Sequence, residues 1–128
     1  MKYLLDTHTL IWAAFEPKRL PAHVQDVISV PENEIIVSAA SAWEIATKVR
    51  IGRMPQAQTL AEHFVRSVTS AGYLLMAISV EHALLAGRMS GTHKDPFDRM
   101  LAAQAIHEDL PLLSNDVQLD AFGVRREW

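Results

Sequence analysis

The chain has 128 residues, of which 49% are hydrophobic and 21% are charged. These values suit one compact domain spanning 1–128, because folded domains typically hold roughly 100–150 residues, and they exclude a disordered or collagen-like chain. The net charge of −3 argues against binding through a broad cationic surface. Because the chain contains no cysteine, disulfides, thiolate zinc sites, iron–sulfur clusters and cysteine nucleophiles are excluded as well.

The amino terminus carries a short apolar run that ends at Asp6, too early for the hydrophobic region of a signal peptide. No stretch approaches the ~18–20 uninterrupted apolar residues of a membrane span. We therefore expect a soluble, cytoplasmic protein that does not bind a membrane.

Strands alternate with helices along the whole chain. In chain order, the apolar spacing and the helix breakers predict strand Tyr3–Leu5, a helix or tight turn Thr7–Phe15, helix Leu20–Ser29, strand Glu34–Val37, a helix from Ser38 or Ser41 to about Ile51, helix Thr59–Ser70, strand Tyr73–Ile78, helix Ser79–Met89, a polar loop Ser90–Lys94, helix Asp95–His107, strand Leu110–Leu113 and an edge strand Val124–Glu127. This alternation, without tight hairpin signals, predicts an α/β fold whose four to five parallel strands lie between two helical layers.

Four acids fall at equivalent places in that pattern. Asp6 and Asp116 each follow a strand, Asp98 lies in the first turn of a helix, and Glu44 lies inside a helix with apolar neighbours. The carboxyl ends of parallel strands form the ligand-binding edge of an open sheet. Carboxylates gathered there repel one another unless a cation is bound, and an all-oxygen donor set favours Mg²⁺ or Mn²⁺ over zinc. The corresponding chemistry is metal-assisted hydrolysis of a phosphodiester.

Each acid also has a purely structural explanation. Asp6 could cap the first helix, and Asp116 could form an Asx-turn or a cap. Asp95 before Pro96 has the pattern of an N-cap, and Asp98 would then be a first-turn acid favoured by the helix dipole.

Glu44 is the hardest of the four to explain structurally. It could pair with Lys48 one turn later, and such a pair typically contributes about 0.2–0.5 kcal/mol to the stability of a helix. A surface ion pair does not account for its position on an apolar, small-residue face of the helix.

With these residues in view, the chain resembles PIN-domain ribonucleases and, among them, the VapC-type toxins of toxin–antitoxin pairs. The likeness extends over nearly the whole chain. It rests on four segments: Tyr3–His8, Ser38–Ile45, His93–Ala105 and Leu112–Asp116.

The resemblance implies a PIN-like three-layer α/β/α fold and an endoribonuclease that uses Mg²⁺ or Mn²⁺. It implies that Asp6, Glu44, Asp98 and Asp116 are the metal-binding and catalytic acids, with Asp95 either an outer ligand or only a cap. It further implies a cognate VapB-like antitoxin, a homodimer or higher toxin–antitoxin assembly, and operator DNA bound only through the antitoxin.

Several other residues lie near the expected site. For His8 and His93 we expect a surface or packing role, with phosphate contact or proton transfer as the alternative. Basic residues beside the acids could form a local RNA-binding patch or simply solvated helix ends, and Arg99 could instead pair with a carboxylate. This basic set comprises Lys48, Arg50, Arg53, Lys94 and Arg99.

Aromatic residues recur at helical spacing, a pattern typical of core or interface packing rather than base stacking. Trp12, Phe15, Trp43 and Phe64 form this set. By the resemblance, Trp12, Phe15 and the helix segment Val24–Ile28 are candidates for the dimer face or the antitoxin groove.

Two rival functions remain at this stage. A phospho-receiver domain also places acids at a parallel sheet edge, but it needs an acidic pair after the first strand, where Asp6 is alone, and a lysine after the last. A catalytically silent interaction module would have the same fold, and metal-dependent RNA cleavage distinguishes it from a nuclease.

Overall fold

The computed structural model describes residues 1–128. The strands are β1 Lys2–Leu5, β2 Glu34–Ser38, β3 Leu74–Met76, β4 Leu112–Leu113 and β5 Arg126–Glu127. The helices are α1 Thr7–Phe15, α2 Ala22–Ser29, α3 Ala39–Arg50, α4 Gln58–Glu62, α5 Phe64–Ser70, α6 Val80–Arg88 and α7 Pro96–His107. Short 3₁₀ helices cover Pro17–Arg19, Pro55–Ala57 and Val117–Phe122.

All five strands form one parallel sheet in the order β3-β2-β1-β4-β5. The predicted parallel α/β sheet is therefore confirmed, including its edge strand at the carboxyl end of the chain. The chain builds the sheet outward from β1 in one direction and then returns to place β4 on the other side. This reversal creates a crevice beyond the carboxyl ends of β1 and β4, the usual place for a ligand in such a sheet.

Alternating residues of the inner strands pack on opposite faces of the sheet. In β1, Tyr3 and Leu5 belong to one buried cluster, whereas Leu4 belongs to another. In β4, Leu113 and Leu112 divide between the same two clusters. Because side chains alternate along a strand, two apolar clusters mean that helices cover both faces, which gives the three-layer α/β/α arrangement.

Several helices begin and end at the short polar residues or glycines that the sequence marks as helix caps. The hydroxyl of Ser38 accepts a hydrogen bond from the Ala40 amide at the start of α3, and that of Ser79 caps α6. After α3, Gly52 has φ +77°, a left-handed conformation that costs glycine little. None of the helices is both long and apolar enough to cross a membrane.

The predicted continuous helix Thr59–Ser70 is wrong. It is divided into α4 and α5 at His63, whose backbone (φ −124°, ψ 35°) lies outside the helical region. The break shifts the phase of the apolar face: Leu60 and Val68 are buried, but Val65 is 62% exposed. A hydrophobic pattern alone does not reveal such a break, because both halves are helical.

Candidate active site

Asp6 lies at the carboxyl end of the central strand β1, where the chain enters α1. Its Oδ1 accepts a hydrogen bond of 2.8 Å from the Thr9 amide, so it caps α1 as the structural explanation proposed. Only 7% of the residue is exposed. Burial raises the pKa of Asp6, and hydrogen bonds from Ser114 and Thr9 oppose this rise. The carboxylate is thus both a helix cap and a buried charge at the crevice.

Glu44 projects from the middle of α3 and is 3% exposed. Its Oε2 accepts a hydrogen bond from the Lys48 ammonium, so the predicted i,i+4 pair is present. Its Oε1 is buried and has no hydrogen-bond partner, which is true of no other buried side-chain nitrogen or oxygen in the chain. A buried carboxylate oxygen without a partner is costly and calls for an explanation such as a bound cation.

The start of α3 is joined to the start of α1 next to Asp6. The hydroxyls of Thr7 and Ser41 lie 3.0 Å apart and are both buried. Because Ser41 precedes Glu44 by about one helical turn, this contact fixes the two acid-bearing elements relative to each other.

Asp98 lies in the first turn of α7, and Asp95 caps that helix. The Asp95 carboxylate accepts hydrogen bonds from the amides of Phe97 and Asp98, at 2.9 and 3.2 Å. Burial raises the pKa of Asp98 to about 6, and the negative charges of Asp95 and Glu44 add to this rise. The hydrogen bond from His93 lowers the pKa of Asp98 and so opposes part of this rise. Glu44 is therefore close enough to Asp98 for the two charges to interact.

Asp116 follows β4, on the other side of the crevice from Glu44. Its amide donates to the Ser114 hydroxyl at 3.0 Å, and its Oδ1 accepts from the Gln118 amide at 3.0 Å. Asp116 is thus the cap of the 3₁₀ helix Val117–Phe122. The same Ser114 also influences Asp6, so the two strand-end acids share a neighbour.

Three ligand atoms come together at this edge, one each from His93, Asp98 and Asp116. All three lie within 4.8 Å of one another, and we call these residues the edge cluster. Asp6 and Glu44 are outside this closest group, although both border the same crevice. His93, for which we expected a surface or packing role, is only 20% exposed and lies 2.9 Å from Asp98. Sequence spacing placed it near the site without revealing this contact.

The residues present fit a hard divalent cation. The donors are carboxylate oxygens with one imidazole nitrogen, and thiolates are absent. The unpartnered Oε1 of Glu44 and the raised pKa values of Asp6 and Asp98 show negative charge that the protein itself does not fully compensate. A cation bound here would remove that cost.

Two cavities flank Asp116 on the surface. One, of about 530 Å³, is lined by residues that include His8, Trp12, Arg19 and Asp116. The other, of about 390 Å³, is lined by the loop Gly91–Lys94 together with part of the 3₁₀ helix. Gln118 lines both cavities, so they lie side by side along the 3₁₀ helix that Asp116 caps.

The basic residues near the acids differ in their environment. Arg99 does not face a ligand or a carboxylate: it donates to the backbone carbonyls of Ala86 and His93, at 3.0 and 3.1 Å, and to that of Met89. Arg99 therefore holds the loop before α7 and forms no ion pair with a carboxylate, whereas its predicted RNA contact stays a prediction. Arg50, Arg53 and Lys94 are exposed, whereas Lys48 pairs with Glu44.

The profile of the PIN domain family matches residues 3–124 of this chain. A relative named Ribonuclease VapC16, from Mycobacterium tuberculosis (strain ATCC 25618 / H37Rv), is 40% identical over 67 residues, which cover 52% of this chain and 43% of that protein. The match thus spans less than half the length of that relative.

Solved structures share the fold over almost the full length. The VapBC2 complex from Rickettsia felis, bound to a DNA fragment from its promoter, contains a chain with a TM-score of 0.74 and 19% identity, covering 100% of this chain and 99% of that one. The VapBC-1 structure from nontypeable Haemophilus influenzae has a TM-score of 0.67 and 15% identity, covering 99% of this chain and 97% of that one. FitAcB from Neisseria gonorrhoeae has a TM-score of 0.67 and 19% identity, covering 98% of this chain and 96% of that one. At these identities the likeness establishes the fold alone.

Proposed function

We propose, from the premise that this chain belongs to the PIN-domain family, that it is a Mg²⁺- or Mn²⁺-dependent endoribonuclease. In this proposal it is the toxin of a toxin–antitoxin pair in the cytoplasm, and residues 1–128 form its single domain. The observation that carries the proposal is the buried, unpartnered Oε1 of Glu44 at a sheet edge that also bears three aspartates. The name of the relative from M. tuberculosis, a ribonuclease, supports RNA as the substrate.

Asp6, Glu44, Asp98 and Asp116 would hold the ion. When bound, such an ion would lower the pKa of water at the site and neutralise charge on the phosphate oxygens. Attack of water on phosphorus with cleavage of the P–O3′ bond then leaves a 5′-phosphate, and the departing O3′ takes up a proton to become a 3′-hydroxyl. The chain contributes the placement of the donors. The Thr9 amide orients Asp6, Lys48 holds one oxygen of Glu44 and leaves the other without a partner, and the start of α7 presents Asp98.

The proposed partners are RNA, a VapB-like antitoxin and a second copy of the chain, with operator DNA bound only through the antitoxin. The structural neighbours support the antitoxin and the operator DNA, because VapBC2 and FitAB were each solved with a DNA fragment. Of the predicted antitoxin-groove residues, Val24 and Val27 are buried in the core and are not available. Trp12 and Phe15 remain, because they line a cavity of about 270 Å³ beside α1.

The test is cleavage of a structured RNA by the purified protein in Mg²⁺ or Mn²⁺, with EDTA and the Asp6→Asn variant as comparisons. Cleavage that requires the ion and is lost in the variant supports the proposal. A folded protein that cuts no RNA with either ion would instead be a silent interaction module. Cleavage that persists unchanged in EDTA would contradict the metal site.

A further inference from the structure

His93 lies in the loop between α6 and α7, next to the proposed metal ligands. Its Nε2 is 2.9 Å from Oδ2 of Asp98, and one of its ring nitrogens lies within 4.8 Å of a carboxylate oxygen of Asp116. The four acids on which the proposed function rests do not include this nitrogen. Its position in the edge cluster raises the question of whether it serves only Asp98 or binds the ion itself.

The loop that carries His93 is firmly attached to α7. The guanidinium of Arg99, the residue directly after Asp98, donates to the carbonyls of Ala86, Met89 and His93. The His93 ring also lies 6.0 Å from the ring of Phe122. Because Arg99 binds the backbone of His93 itself, the imidazole is placed before any ligand arrives.

The imidazole of His93 is free to take the tautomer that metal binding needs. Its Nε2 contacts Asp98, and its Nδ1 makes no hydrogen bond within the chain. A proton can therefore reside on Nδ1 and leave the lone pair of Nε2 available. The 2.9 Å separation from Asp98 Oδ2 also suits two neighbouring ligands, since bonds of about 2.0–2.1 Å at right angles place octahedral ligand atoms about 3 Å apart.

We propose that His93 is a nitrogen ligand of the metal site and makes that site favour first-row transition ions over Mg²⁺. This inference rests on the proposed metal site and adds to it a preference among ions. Mg²⁺ binds almost entirely through oxygen, whereas the gain from an imidazole nitrogen rises along the series from Mn²⁺ to Co²⁺. A site of carboxylates alone follows the same order less steeply, so the additional preference contributed by the nitrogen is the part that removing the imidazole should abolish.

The alternative is that His93 only positions Asp98 through a hydrogen bond, and His93→Gln separates the two roles. The glutamine amide can still donate to Asp98, but it offers no imidazole lone pair. We expect the affinity for Co²⁺ to fall by about tenfold or more, that for Mn²⁺ to fall less, and that for Mg²⁺ to fall least. Titration calorimetry measures all three, with Mg²⁺ determined by competition against Mn²⁺.

Electron spin echo spectroscopy of the wild-type protein with Mn²⁺ gives an independent reading that does not depend on a variant. A directly bound ¹⁴N nucleus is expected in the wild type and should be absent in His93→Gln. His8→Gln is the matched control, because His8 lines a cavity beside Asp116 but lies outside the edge cluster. We expect its nitrogen signal to equal that of the wild type, and any change of affinity that follows from the charge of His8 near Asp6 to be similar for the three ions.

The outcomes separate this inference from the proposed function. Equal loss of affinity for all three ions in His93→Gln, or no bound nitrogen in the wild type, overturns the ligand role while leaving the metal site intact. A wild-type protein that binds none of the three ions overturns both proposals.

Discussion

Two clusters in this molecule each combine a histidine with a carboxylate at hydrogen-bond distance, yet their environments are opposite. In the edge cluster, His93 lies 2.9 Å from Asp98. The second, which we call the helix-pair cluster, consists of His82 on α6 with His107 and Glu108 at the end of α7, and its His82–Glu108 distance is 2.8 Å. Distances between donors alone would make both of them candidate metal sites.

The backbone decides the protonation of His82. The Nδ1 of His82 accepts a hydrogen bond of 3.0 Å from the Ser79 amide, and the Ser79 hydroxyl accepts one of 3.0 Å from the His82 amide. This capping box requires a lone pair on Nδ1 and therefore places the proton of the neutral ring on Nε2, which donates to Glu108. The nitrogen that faces the other donors then has no lone pair for a metal.

The environments of the two clusters distinguish structural from functional polar groups in this fold. In the helix-pair cluster each polar atom of His82 has a partner within the chain, and Gln104 adds a further contact at 3.3 Å. At the sheet edge, Glu44 Oε1 has none and the pKa of Asp98 is raised. Polar groups that satisfy one another stabilise the protein, whereas groups left unsatisfied indicate a missing ligand.

The largest expected effect lies at the sheet edge. Asp98→Asn should reduce metal-dependent RNA cleavage by about a hundredfold or more, since it removes a proposed ligand. The same change should increase the stability of the metal-free protein at pH 7.5 by about 1–2 kcal/mol, because folding disfavours the charged form of this aspartate. Cleavage assays and urea denaturation in EDTA measure the two effects.

The stability gain should depend on pH with a definite sign. The pKa of Asp98 rises on folding from its ordinary value of 3.8 to about 6, so the metal-free protein loses stability as the pH rises through this interval. The contribution of Asp98 to this loss is nearly complete at pH 7.5 and is removed in Asp98→Asn, whereas the contribution of Asp6, whose pKa is also raised, remains. Asp95→Asn is the matched control, because asparagine caps a helix about as well as aspartate, and we expect it to retain cleavage within about threefold.

The next effect concerns the helix-pair cluster, where a substitution should lower the stability of the protein and leave metal binding unchanged. His82→Ala should lower the free energy of unfolding by about 2–3 kcal/mol, because it removes half of the capping box and leaves a cavity. Its affinity for Mn²⁺ should equal that of the wild type. A parallel loss of metal binding, measured by calorimetry on the folded variant, would break the distinction between the two clusters.

A smaller effect is expected for Lys48→Met. The substitution leaves the buried carboxylate of Glu44 without its cation and should destabilise the metal-free protein by about 1–2 kcal/mol. Saturating Mn²⁺ should recover part of this loss, because a bound ion supplies positive charge to the same carboxylate. Thermal unfolding with and without Mn²⁺ measures the recovery, and Lys48→Arg, which preserves the pair, should behave like the wild type. An equal loss with and without the ion would place Glu44 outside the metal site.

No change at all is expected for His107→Gln in the stoichiometry of Mn²⁺ or Co²⁺ binding. His107 contacts His82 edge-to-face, with ring centroids 5.3 Å apart, and it completes the only other three-donor cluster in the chain. If calorimetry showed one bound ion fewer in this variant, the tautomer argument for His82 would be wrong.

The alternation of strands and helices was sufficient to predict the sheet and the edge where the acids gather. Asp6 and Asp116 could be assigned to that edge because parallel strands end on the same side, and the order of the strands then places β1 beside β4. Pro96 and Asp95 likewise predicted the start of α7 correctly.

The contacts within the candidate site depend on distances between side chains that a local sequence pattern does not contain. Whether Lys48 satisfies the whole carboxylate of Glu44 could not be decided from spacing, and the structure shows one oxygen bonded to Lys48 and the other buried without a partner. The contact between His93 and Asp98 depends on how Arg99 folds the preceding loop, and the helix break at His63 depends on packing of the two halves.

The carbonyl contacts of Arg99 have a consequence for how this protein can evolve. Because the hydrogen bonds of the guanidinium go to main-chain oxygens of Ala86, Met89 and His93, these bonds do not depend on the side chains that the loop carries. Mutation at position 93 can therefore exchange one donor chemistry for another without rebuilding the scaffold.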